Sequence, residues 1–109
     1  MFVKEKAAGE QQISADAKVF LDAADIVDRR GHTKFTLVDD VGRVCTFYAI
    51  AIASRVDPFD EIIWPGQKIK NLLKEFQRVA GSTVCRWNNA DGRTTAEVSA
   101  MLRKVASTV

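Results

Sequence analysis

The sequence has one histidine, two cysteines and two prolines, and each shortage removes a class of function. A single histidine and two distant cysteines supply no ligand pair at zinc spacing, so no metal site is expected. With no Cys-x-x-Cys pair, Cys45 and Cys85 read most simply as free buried thiols, with a disulfide the less favoured alternative. No uncharged run approaches the roughly eighteen residues of a membrane span. The opening segment, with Lys4, Glu5, Lys6 and Glu10, lacks the apolar centre of a secretory signal. A cytoplasmic protein with no membrane contact is the expectation. Neither a Walker loop nor a Gly-x-Gly-x-x-Gly run is present to cradle a phosphate, and no cofactor is expected. The net charge of +2 is too even for a phosphate-backbone binder, which sets nucleic acid aside as a partner.

What is present describes one small core. A chain of 109 residues, 47% hydrophobic and 28% charged, is long enough for one domain and too short for two. The expected organisation is a flexible N-terminal segment over residues 1–13 and a single globular domain over residues 14–109. A helix is expected from Ser14 as N-cap to Arg30, with Val19, Phe20, Ala23, Ile26 and Val27 on its apolar face and Gly31 as its stop. Lys34 to Val38 and Arg43 to Cys45, around Asp39-Asp40-Val41-Gly42, read as a short β-hairpin with a four-residue loop. The run from Cys45 to Ser54 is nearly all apolar; its alanines favour a helix, its aromatic and β-branched residues a strand, and a short central helix is chosen.

Asp57-Pro58 reads as a helix start with proline at the first helical position, giving one or two turns through Trp64 before Pro65-Gly66. Ile69, Leu72, Leu73, Phe76, Val79 and Ala80 mark an amphipathic helix ended by Gly81. Trp87-Asn88-Asn89 then reads as a polar loop with an aromatic anchor. Behind it, Thr94 and Glu97 form a capping box, and Val98, Met101, Leu102 and Val105 give the last helix its apolar face. The fold class expected is α+β: a mostly helical single domain with a small β-hairpin packed against three main helices.

The order Arg30-Gly31, Gly42-Arg43-Val44-Cys45, Trp87-Asn88-Asn89 and Gly92-Arg93-Thr94, followed by Glu97-Val98, resembles a family of small proteins of unassigned function from actinobacteria and their phages. That family's pattern runs Arg-Gly-Trp, Gly-Arg-x-Cys, Gly-Ala, Trp-Asn-Asp and Gly-Arg-Thr, and the similarity covers roughly Leu21 to Val105. This chain departs from it at His32, at Phe47-Tyr48-Ala49 and at Asn89. The resemblance implies an origin in a phage or prophage of a high-GC Gram-positive host, and no activity.

Four constellations carry candidate chemistry. Phe59, Ile62, Ile63 and Trp64 are large apolar residues in a span too short to bury them all. They suit a partner-binding surface rimmed by Asp57, Asp60, Glu61 and Lys68, the bland alternative being a lid in which Ile63 and Trp64 close the core over Phe76. Arg43, Trp87 and Arg93 form a second candidate partner surface; alternatively the arginines serve their turns and Trp87 plugs the core. Cys45 at a helix start, with His32 and an asparagine or Asp91 to orient the imidazole, would suit a cysteine-dependent hydrolase or transferase; otherwise Cys45 is a small core residue. The helix after Thr94, with Arg93, Arg103 and Lys104, would suit a DNA-binding regulator. The function expected is that of a small phage or prophage accessory protein, non-enzymatic, binding a host or phage protein, with homo-oligomerisation as the other way to cover the apolar surface.

Overall fold

The computed structural model describes residues 13–109. The expected flexible segment at residues 1–13 thus lies, apart from Ile13, outside the described residues. Six helices follow one another among these residues: α1 (Ala15–Arg30), α2 (Thr46–Ala53), α3 (Pro58–Ile63), α4 (Gln67–Ala80), α5 (Val84–Asn88) and α6 (Thr95–Ala106). Their starts are written in the local sequence. The Ser14 hydroxyl accepts the Ala17 N–H at 3.0 Å, and Asp57 accepts the Phe59 N–H at 2.9 Å with Pro58 in the first turn. At α6 the box closes in both directions: the Thr94 hydroxyl accepts the Glu97 N–H at 3.1 Å, and Glu97 accepts the Thr94 N–H at 2.9 Å. Each such cap satisfies a donor that the first helical turn leaves without a partner. The stop of α4 is equally local, because Gly81 takes the left-handed conformation at φ 85° that glycine adopts without steric cost.

The core is built where these helices cross. α1 packs chiefly along α6 and next against α2. Phe20, Ile50, Leu72, Phe76, Val98 and Leu102, drawn from α1, α2, α4 and α6, are completely or almost completely buried. The ambiguous run from Cys45 to Ser54 is helical, and Phe47, Ala49, Ile50 and Ala51 are all buried in it. Its outward face carries Tyr48, Ile52 and Ala53, which are apolar or aromatic as well, and a helix without a polar face gives no periodicity signal.

Two expectations are corrected. The described residues are helical, with no sheet and no β-hairpin among them, so the α+β class does not hold. Residues 34–38 do not run as a strand: Phe35 sits at φ 65°, outside the extended region. The only strand-like pairings among the described residues are two isolated bridges, both to Val44, from His32 and from Val38. Asp39 organises the turn instead. Its carboxylate accepts the N–H groups of Val41 at 3.1 Å and Arg43 at 2.8 Å, as turn-forming aspartates do. The second correction concerns Trp87-Asn88, which ends a short helix, α5, rather than forming a polar loop; Thr83 caps it by accepting the Arg86 N–H at 3.4 Å.

Candidate functional site

The α3 segment presents its apolar side chains to solvent. Phe59 is 53% exposed, Ile62 45%, Ile63 70% and Trp64 83%, so Trp64 and Ile63 do not form a lid over Phe76. The ring of Phe76 meets that of Trp87 instead, edge to face at 5.4 Å. Of α3 itself only Pro58 is buried, because six residues make too short a helix to offer a continuous inner face. The ridge is nevertheless held in place. Besides the Asp57 cap, Glu61 accepts the Gly66 N–H at 2.8 Å, and Phe59 lies edge-on to Tyr48 of α2 at 6.1 Å. The Lys68 ammonium donates to the Ser54 carbonyl at 3.2 Å and makes no ion pair with Asp57, Asp60 or Glu61 among the described residues. The rim made by Asp57, Asp60 and Glu61 is therefore acidic.

Arg43, Trp87 and Arg93 are each taken up locally. The Arg43 guanidinium pairs with Asp39 at 2.6 Å. Hydrogen bonds from the Arg43 side chain and backbone and from the Val41 N–H outweigh desolvation and hold the Asp39 carboxyl below its ordinary range. Arg93 lies over the Trp87 ring at 3.8 Å from its centre and donates to the Trp87 carbonyl at 2.9 Å. Trp87 is thus buried between Phe76 on one side and a cation on the other. On α6, Arg103 donates to Asp25 at 3.1 Å and Asp28 at 2.6 Å of α1, so this basic group serves the α1–α6 junction.

Around Asn88 the sequence-distant segments meet. Its Oδ1 accepts three hydrogen bonds: from the Thr46 N–H at 2.8 Å, the Thr46 hydroxyl at 2.6 Å and His32 Nε2 at 2.9 Å. Its Nδ2 donates to the Thr33 carbonyl at 3.1 Å and to Asn89 Oδ1 at 3.0 Å. The Thr46 amide can only donate, which sets the orientation of the Asn88 amide and makes Nε2 the protonated nitrogen of His32. Burial lowers the His32 pKa, the charges of Lys34 and Arg93 push the same way, and the Asn88 bonds oppose them. Thr95 completes the cluster by accepting the His32 N–H at 3.1 Å. Sequence reading pairs His32 with an asparagine but misses the scale of this hub, since its partners at positions 32, 33, 46 and 89 share no local pattern.

Cys45 is the N-cap of α2, its Sγ accepting the Tyr48 N–H at 3.3 Å. Burial pushes its thiol pKa up despite that bond, the opposite of what favours a thiolate nucleophile. No hydrogen bond joins Cys45 to His32 among the described residues. Cys45 and Cys85 are both free, the first buried and the second exposed, so the expectation of two buried thiols holds for Cys45 alone. No group of three metal-ligating side chains is found among the described residues, and none of the described helices is long and apolar enough to cross a membrane. Compared with known proteins, the chain matches the model of a family of unknown function, DUF6197, over residues 13–108. No curated protein and no solved structure matches it.

Proposed function

Because the chain belongs to the DUF6197 family, whose function is unknown, we propose a function from geometry: it is a protein-docking module that binds through the α3 ridge. The carrying observation is the exposure of four large apolar side chains within six residues, Phe59, Ile62, Ile63 and Trp64, on a segment held by its own cap and by Tyr48. Contiguous exposed apolar surface is costly in water and marks interaction sites, and tryptophan is the residue most enriched among binding hot spots. The acidic rim selects the partner's chemistry: a protein with an apolar groove edged by lysine or arginine. An origin in actinobacteria or their phages, and an accessory role there on a host or phage protein, belong to the same proposal and rest on the motif resemblance.

The test uses Phe59→Ala and Trp64→Ala. Trp64 is 83% exposed, so Trp64→Ala should lie within about 0.5 kcal/mol of the parent in stability, whereas Phe59→Ala also loses the edge contact with Tyr48 and should cost about 1 kcal/mol; both should keep their helical circular dichroism. Each should weaken binding of the captured partner by at least about tenfold, or ~1.4 kcal/mol, and added salt should weaken the parent's binding. Retention of the partner by both folded variants overturns the reading. So does a parent dimer in sedimentation that Trp64→Ala dissociates, since the ridge would then serve a second copy of the chain.

A further inference from the structure

The segment that links α1 to α2 encloses a half-open cavity of 360 Å³ against α5. Phe35, Leu37 and Phe47 supply apolar lining, with the thiols of Cys45 and Cys85 beside them. Thr36, Asn88 and Asn89 supply the polar part, and no charged side chain among the described residues lines the space. The volume lies in the range of roughly 300–1,000 Å³ typical of small-molecule sites.

Two further observations point to an occupant. Asn89 Oδ1 accepts the Phe35 N–H at 3.0 Å and an Asn88 Nδ2–H at 3.0 Å. Since a backbone N–H can only donate, the Asn89 amide orientation is set, and its Nδ2 is a solvent-accessible donor at the cavity with no protein partner among the described residues. Asn88, by contrast, spends both ends of its amide within the protein. The other observation is Phe35 itself, a bulky aromatic residue held at φ 65° and 81% exposed at the cavity. That conformation costs on the order of 1–3 kcal/mol and persists where a functional arrangement requires it.

We propose that this cavity binds a small, flat, neutral aromatic molecule carrying one acceptor oxygen. The ring packs against Phe35 and Phe47, and the oxygen accepts from Asn89 Nδ2. Neutrality follows from the lining, which offers no counter-ion and whose Cys45 thiol stays protonated; a charged body would be desolvated there without compensation.

The probe is acetylnaphthalene, an aromatic ketone, compared with ethylnaphthalene, which has the same shape and no oxygen. Added to the full chain, the ketone should shift the amide NMR signals of Phe35, Leu37, Phe47 and Cys85 and the Asn89 side-chain amide in a saturable way. Asn89→Asp keeps an acceptor for the Phe35 N–H and replaces the donor, so it should weaken the ketone by at least about tenfold and leave ethylnaphthalene unchanged. Cys85→Phe, at an exposed position on the lining, should abolish binding of both. The proposal is overturned if the shifts centre on Phe59 and Trp64, if they do not saturate, or if Asn89→Asp affects the two probes equally. Should Asn89→Asp fail to fold, the parent's shift map and Cys85→Phe still decide.

Discussion

At the scale of single residues, neighbours in sequence do unlike work. Thr94→Ala should cost about 0.5–2 kcal/mol through loss of the cap, read as a lower midpoint in urea. The adjacent Thr95 hydroxyl is not placed to cap, and from sequence its removal looks cheap. In the fold it accepts the His32 N–H, so Thr95→Ala should cost a comparable amount. The thiols diverge in the same way. A thiol reagent under native conditions should modify exposed Cys85 and reach Cys45 far more slowly, with peptide mapping as the readout.

His32 makes stability depend on pH. Its folded pKa lies below the ordinary value of 6.5, so the unfolded chain binds the proton first. Its contribution is therefore present above about pH 6.5 and is lost as pH falls through that value toward the folded pKa. Glu75, whose pKa is raised by burial and by Asp16, acts in the opposite direction at lower pH, so the decisive quantity is a difference. The urea midpoint of the parent should fall more than that of His32→Gln on acidification from about pH 7.5 to about pH 5.5; parallel curves would remove His32 from the account.

At the scale of elements, the contrast between α6 and α5 shows what local sequence decides. α6 has a two-way capping box, an apolar face and basic residues in its last turn, all within one window of sequence. α5 spans five residues, too short for helical periodicity, and its stability comes from tertiary contacts. Its Asn88 ties the start of α2 to the segment after α1. Asn88→Ala would strand the Thr46 N–H and the Thr33 carbonyl and should cost more than about 3 kcal/mol, lowering the thermal midpoint and releasing the Phe35 region in hydrogen exchange. A cost within the range of a surface substitution would show that water replaces this amide without penalty.

At the scale of the whole molecule, the core is shared mainly by α1, α2, α4 and α6; the α3 ridge sits outside it, and the cavity opens where the α1–α2 segment meets the core's edge at Cys45 and Phe47. The α3 ridge and the α1–α2 segment are linkers between core helices, and a linker carries exposed aromatic side chains with less harm to stability than a core helix would. Arg103 joins α6 to α1 through Asp25 and Asp28, and its hydrogen bond lowers the Asp28 pKa. These groups are largely exposed, so the packing beneath them, not the ion pairs, dominates the junction.

The sequence by itself determines the helix starts at Ser14, Asp57 and Thr94, the stop at Gly81 and the apolar faces of α1, α4 and α6. Each follows from bonds or periodicities spanning at most a few turns. It also determines that the α3 segment cannot bury all four of its large side chains, because they exceed what so short a helix between two proline breaks can cover; that Ile63 and Trp64 face out and do not close the core was decided by the tertiary structure. Only the tertiary structure decided that residues 34–45 form no hairpin. Asn89 holds Phe35 in a left-handed conformation from 54 positions away, which breaks the first strand, while the Asp39 bonds that shape the turn are local. The same holds for the Asn88 hub and the cavity beside it, whose partners meet only after α1, α2 and α5 have packed, so that no local window of sequence contains them.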